Sequence, residues 1–242
     1  MSFKVINFKV ILYAVLIKLK KLLNKKYDPY QPLPTGLYLN PSNIISEAYK
    51  SISLDLSFSK NKLDPLKWQK KARRKLADLS GYKSSRKIPK VSKIFHEIKL
   101  SDSISRKKIY LRISPKCDIP INLIFKKPYK HNSKVFIFLA GSTSGAHIGW
   151  GEAKVPIDHQ RIFIGADIAI QAAEKGYLAV TFEQAGYGER LEKKLKKKSN
   201  DRTIDFANHL LLLGKSLEGN GASEISYVID WLCSKNNKLN IS

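Results

Sequence analysis

Two short stretches of the chain carry residue types from which a reactive site can be built. The first, Gly141-Ser142-Thr143-Ser144-Gly145-Ala146-His147-Ile148-Gly149-Trp150-Gly151-Glu152, follows directly on the apolar run Val135-Phe136-Ile137-Phe138-Leu139-Ala140. A glycine-rich loop at the carboxyl end of a buried parallel strand lets the backbone approach a ligand closely and leaves N–H groups to donate, so it reads as a donor loop. It does not read as a nucleophile elbow, because G-x-S-x-G needs serine at its centre and the centre of Gly141 to Gly145 is Thr143. A phosphate cradle would need G-K-[ST] at its end. Gly214-Lys215-Ser216 supplies those three residues later, without the leading glycine and within a helical stretch, and is coincidental.

The second stretch, Glu183-Gln184-Ala185-Gly186-Tyr187-Gly188-Glu189-Arg190, follows the apolar segment Tyr177-Leu178-Ala179-Val180-Thr181-Phe182. Alone it reads as a tight turn with a surface ion pair. Its position after a second strand makes it a companion to the first loop. Ser144 with His147 is the one local pairing of hydroxyl and base worth naming, but a relay needs a third group to orient the imidazole and the neighbouring sequence offers none.

Metal chemistry has little support. The five histidines, His96, His131, His147, His159 and His209, form no H-x-x-x-H or H-E-x-x-H pair, and Cys117 and Cys233 are too far apart for ligand spacing or a disulfide framework. Two isolated thiols fit a reducing, cytoplasmic compartment.

Such loops need a sheet to hold them. Between Val135–Ala140 and Tyr177–Phe182, Ile162 to Lys175 predicts one helix with Ala166, Ile170 and Ala173 on a face and Gly176 as its stop, which completes a βαβ unit. The continuous apolarity of Val135–Ala140 predicts a strand buried on both faces. Upstream the period is two: Ile94, His96, Ile98 and Leu100, then Ile109, Leu111 and Ile113, then Ile119, Ile121, Leu123 and Phe125, read as short antiparallel strands. Asp64-Pro65 opens a helix with Trp68, Ala72, Leu76 and Leu79 as its stripe and Gly81 as its end. The cluster Lys70 to Lys75 lies largely off that stripe and reads as a solvated face. Helices are also expected around Thr203 to Lys215 and around Ser223 to Ser234, the latter with Ile225, Val228, Ile229 and Leu232 inward. Leu239 to Ser242 looks like the start of a further strand.

The chain has 242 residues, 43% hydrophobic, with 44 Lys+Arg against 20 Asp+Glu and a formal charge of +24. That field would draw anionic partners, yet most of the cations are lysines travelling with asparagine and isoleucine, so nucleic acid is disfavoured as a selected partner. Near the N-terminus an apolar run from Val10 to Ile17 is followed by Lys18, Lys20, Lys21, Lys25 and Lys26. At about 1.5 Å per helical residue this run covers ~12 Å, short of a hydrocarbon core of ~30 Å. Residues 1–26 therefore predict a basic amphipathic helix, suited either to an anionic membrane surface or to packing on the core with its lysines solvated, residues 27–63 a proline-containing linker with a short helix, and residues 64–242 the main domain.

From about Trp68 onward, the ordered set of segments resembles the N-terminal part of α/β-hydrolases of the dienelactone hydrolase and acetyl xylan esterase type. The set comprises the helix Trp68 to Gly81, the strand from Ile119-Pro120 to Pro128, the loop Gly141 to Glu152 and the segment Gly176-Tyr177 to Phe182. It continues with the turn Gly186-Tyr187-Gly188-Glu189-Arg190, then Leu211 to Leu217, and Ile229-Asp230-Trp231-Leu232. The resemblance implies an α/β fold with an incomplete hydrolase-type sheet, antiparallel strands first and a parallel βαβ unit after them, behind an N-terminal helical extension. It places an oxyanion-hole N–H near Ser142 and Thr143, and gives Gly141, Gly145, Gly186, Gly188 and Arg190 the shaping of the two loops. It implies carboxylic-ester hydrolysis through a serine acyl-enzyme, with no cofactor. Where the family usually has histidine before the loop glycine, this chain has Ala140.

The family's nucleophile, acid and histidine, in that chain order, would fall beyond Ser242. The expectation is a truncated hydrolase, inactive by itself, whose partner is a complementing C-terminal half. An alternative is a non-catalytic, membrane-peripheral scaffold with a degenerate hydrolase domain.

Overall fold

The computed structural model describes residues 39–60, 62–84, 87–129, 134–141, 143–193 and 200–234, with positions 15, 16, 18, 19, 22, 36 and 37. The expected N-terminal helix lies largely outside these residues, as do Ser142, His131 and the expected strand start at Leu239. The chain divides into two compact units, Met1–Ser57 and Phe58–Ser242. Within the first, α1 (Ser42–Ser51) begins where the Asn40 side chain accepts from the Ser42 N–H at 3.0 Å. No helix among the described residues is long and apolar enough to cross a membrane.

The second unit opens with α2 (Pro65–Ser80), started by the Asp64 carboxylate accepting from the Leu66 N–H at 3.2 Å and ended by Gly81 at φ 67°. The stripe expected on it is only partly right. Trp68 and Ala72 are half-buried, whereas Leu76 and Leu79 are 67% and 70% exposed.

The sheet is built on β1 (Lys90–Ile94), β2 (Ile98–Lys99), β3 (Ile104–Ser114), β4 (Cys117–Lys126), β5 (Val135–Phe138) and β6 (Leu178–Phe182). It is six-stranded, in the order β1-β3-β4-β6-β5, with β2 beside β3. The alternation from Ile94 to Leu100, expected as one strand, is broken at Phe95–Glu97. The β3–β4 hairpin aligns Ile109 with Ile121 and Leu111 with Ile119, as its period of two requires. β6 pairs antiparallel to β4 and parallel to β5, so the antiparallel and parallel portions meet at one strand. That strand, like β4 from Ile119 to Phe125, is buried on both faces, whereas β5 is not. β5 has no second neighbour among the described residues, and Val135 is 38% exposed.

Each face of the sheet has its own core. On one, Leu111, Ile119, Ile121, Leu178, Val180 and Phe182 pack with Val228, Trp231 and Leu232 of the long final helix (Leu217–Ser234). Ile229, expected inward there, is 41% exposed. On the other, Ala179 and Ile124 meet Ala169, Ala172 and Ala173. Small residues on both sides of that contact let helix and sheet approach closely. The helix expected from Ile162 to Lys175 is two helices, α3 (Pro156–Phe163) and α4 (Ile168–Glu174). Gly165, at φ 92°, ends the first, and Ala166 falls in the turn. After β6 the described residues form α5 (Arg202–Leu212), capped by Asp201, and α6, the long helix already described.

Candidate active site

β5 and β6 run parallel, so Ala140 and Glu183 leave the sheet at the same rim and the two glycine-containing loops converge there. The Gln184 side chain donates to the Ala140 carbonyl oxygen at 2.8 Å, tying the second loop to the root of the first. Beyond Gly145 the first loop winds into a buried one-turn 3-10 helix, Ala146–Trp150, whose Ala146 and Trp150 pack against α4. Burial of an apolar alanine and tryptophan is what folds this end of the loop down onto the sheet.

Ser144, His147 and Asp158 come together. Ser144 Oγ donates to Asp158 Oδ1 at 2.6 Å and lies 3.0 Å from His147 Nε2, which is itself 3.0 Å from Asp158 Oδ2. The third group that the local sequence did not offer is thus supplied by the first turn of α3. Its geometry is that of a tether. In a proton relay the acid holds one ring nitrogen while the other faces the hydroxyl. Here serine and carboxylate share the same nitrogen, and the serine proton is directed to the carboxylate. Asp158 Oδ2 also accepts the N–H groups of Lys154 and Val155 at 2.9 and 3.1 Å. Burial works against its ionisation, but Ser144, His147 and these amides together hold its carboxyl well below the usual carboxylate range. An acid two residues after Pro156 signals a helix start in the sequence. That it also reaches back to Ser144 and His147 is not visible there.

The donor groups of the loop fall into two sets. The Thr143 N–H, expected near an oxyanion, turns back to the Gly141 carbonyl oxygen at 2.7 Å, and the Ala146 N–H goes to the Glu183 carboxylate at 3.0 and 3.3 Å. The N–H groups of Ser144 and Gly145 have no acceptor among the described residues. Ser142 lies outside them. The close approaches fix two glycines. A Cβ on Gly145 would stand 2.7 Å from His147 Nδ1, and one on Gly188, at φ 48°, would overlap the Glu183 carboxyl group.

The second loop is held from beneath. Arg190, expected in a surface ion pair, is mostly shielded, its fork on the buried Glu224 carboxylate at 2.6 and 2.8 Å. Nη1 also donates to the Glu183 carbonyl oxygen at 3.0 Å, and Nη2 lies 3.5 Å from Cys117 Sγ. Burial pushes the Cys117 thiol up, with Arg190 opposing. Glu189 faces outward to the Lys108 ammonium at 2.8 Å and the Tyr110 hydroxyl at 3.0 Å. Glu183 itself is 5% exposed, and burial raises its carboxyl above the usual range. Glu224 and the burial of Glu183 escaped the sequence reading, since neither depends on local pattern. No cluster of ligand types suited to a metal ion occurs among the described residues.

A family model described as the Abhydrolase family matches residues 35–240. A putative acetyl xylan esterase from Bacteroides fragilis has a similar fold, with a TM-score of 0.63 and 18% sequence identity over 85% of this chain and 53% of that one. The chain thus spans about half the length of that structure. No curated protein matches the chain.

Proposed function

Because the chain belongs to the Abhydrolase family, we propose that it is the sheet and carbonyl-binding half of an esterase-like hydrolase, with its nucleophile supplied by residues outside the described part. The observation that carries this reading is the loop at the rim of β5, where the N–H groups of Ser144 and Gly145 have no acceptor among the described residues while the nearby Ser144–His147–Asp158 group closes on itself. The first feature suits an oxyanion site and the second speaks against the Ser144–His147 pair as its engine. Charge developing on an acyl oxygen would be met by the preorganised main-chain N–H groups of Ser144 and Gly145. One such donor is worth about 2.7–4 kcal/mol of barrier. The attacking serine, its base and its acid would reach this oxygen from the side of β5 that has no strand neighbour among the described residues.

The test is hydrolysis of an activated short-chain ester. The 242-residue chain should give no burst and no labelling by a serine-directed phosphonate, and S144A should change nothing. Turnover should arise when a polypeptide carrying a G-x-S-x-G strand–turn–helix from a related esterase is supplied. A phosphonate-sensitive burst from the chain alone, lost in S144A, would place the nucleophile at Ser144 and overturn the reading.

A further inference from the structure

Glu183 is used by nothing in the proposed chemistry, yet it is the group on which both loops close. It leaves β6 at the rim, 5% exposed, with the Ala146 N–H of the first loop donating to its two oxygens at 3.0 and 3.3 Å. The second loop reaches the same residue through Arg190, whose Nη1 donates to the Glu183 carbonyl oxygen at 3.0 Å. Gly145 and Gly188 flank the carboxyl group so closely that a Cβ on the first would lie 3.0 Å from Oε2 and a Cβ on the second would overlap it. The space is shaped to this one side chain. An acid held there loses hydration whenever it ionises, a cost that glutamine would avoid while still offering an acceptor to Ala146.

We propose that Glu183 is a positioning residue, a clamp that joins the carbonyl-binding loop to the Gly186–Arg190 turn while its carboxyl is neutral and releases both when it ionises. Its purpose rests on the ester-hydrolysis reading, since the loop it holds presents the Ser144 and Gly145 donors. The charged and titratable groups around it are His147 from the first loop, Glu189 and Arg190 from the second, Lys108 and Tyr110 of β3 on Glu189, and Glu224 of α6 on Arg190. Burial, with repulsion from Glu189, raises the carboxyl above its ordinary value against the pull of the Ala146 and Glu189 amides and of His147. The closed state therefore binds the proton more tightly than an opened, hydrated one. Rising pH must favour opening between the ordinary value and the raised one.

Amide exchange followed by mass spectrometry on the full chain reads this directly, in peptides covering 141–152 and 186–190. In E183Q, whose amide stays neutral, both loops should keep their protection from about pH 5 to about pH 9. In the unsubstituted chain both should lose protection relative to E183Q as pH rises, about tenfold for each unit separating the closed and open values. E183A should exchange faster in both loops at every pH, with β3 and β4 peptides unchanged. A ratio to E183Q that is constant with pH, or a change confined to one loop, would overturn the clamp. If E183A does not fold, the comparison with E183Q still decides. Exchange needs no turnover, so the clamp can fail while ester hydrolysis stands, and the reverse.

Discussion

Replacing Arg190 with methionine should remove the pin beneath the second loop and strand a buried charge. The guanidinium makes a two-pronged contact with Glu224, at 2.6 and 2.8 Å, and a further bond to the Glu183 carbonyl oxygen at 3.0 Å. The side chains of Arg190 and Glu224 are only 14% and 6% exposed, so water cannot take over for the lost partner. Breaking such a pair from one side costs about 3–5 kcal/mol, most of it the penalty on the carboxylate left behind. At about 2–4 °C per kcal/mol for a unit of this size, R190M should melt roughly 10 °C lower. Urea unfolding followed by circular dichroism measures it. The physical content lies in the double variant: R190M/E224L removes both charges and should recover most of the loss, giving a coupling energy of about 2 kcal/mol or more. Loss of less than about 1 kcal/mol in R190M, or strictly additive losses in the double variant, would refute the claim that this is a desolvated, mutually dependent pair.

Two other outcomes follow from the same reasoning. Because Asp158 takes bonds from Ser144, His147 and two backbone amides, D158N should cost about 1–3 kcal/mol near neutral pH by setting an amide N–H against those donors. The folded carboxyl lies below its ordinary value, so its contribution is present above that value and fades as pH falls toward the folded one. Urea titrations should therefore show the gap between D158N and the unsubstituted chain narrowing below about pH 4. For the N-terminal segment, the seven lysines within residues 1–26 predict that the full chain pellets with anionic vesicles and that a chain lacking those residues pellets markedly less, each lysine near the surface contributing about 1 kcal/mol. Equal pelleting would remove the case for a membrane-surface helix.

Local pattern determined a good deal by itself. Asp64-Pro65 and Gly81 bounded α2 because capping and left-handed termination act over one turn. The period of two in Ile109 to Ile113 and Ile119 to Phe125 set the β3–β4 hairpin, and the glycine-rich loop after Val135–Ala140 fell where open sheets bind ligands. What the tertiary structure decided were relations between residues far apart in the chain. Val135–Phe138 is the more continuously apolar of the two segments, yet among the described residues Leu178–Phe182, which includes Thr181, is the one with strands on both sides. An alanine-rich helix hides its break at Gly165 behind a continuous pattern. Asp158 reaches Ser144 across 14 residues and Arg190 reaches Glu224 across 34, so neither pairing leaves a periodic trace. Charge and hydrogen-bond partners are chosen by distance in space, and only after the sheet rim has brought both loops together do Glu183 and Arg190 cease to look like surface residues and become supports shielded from water.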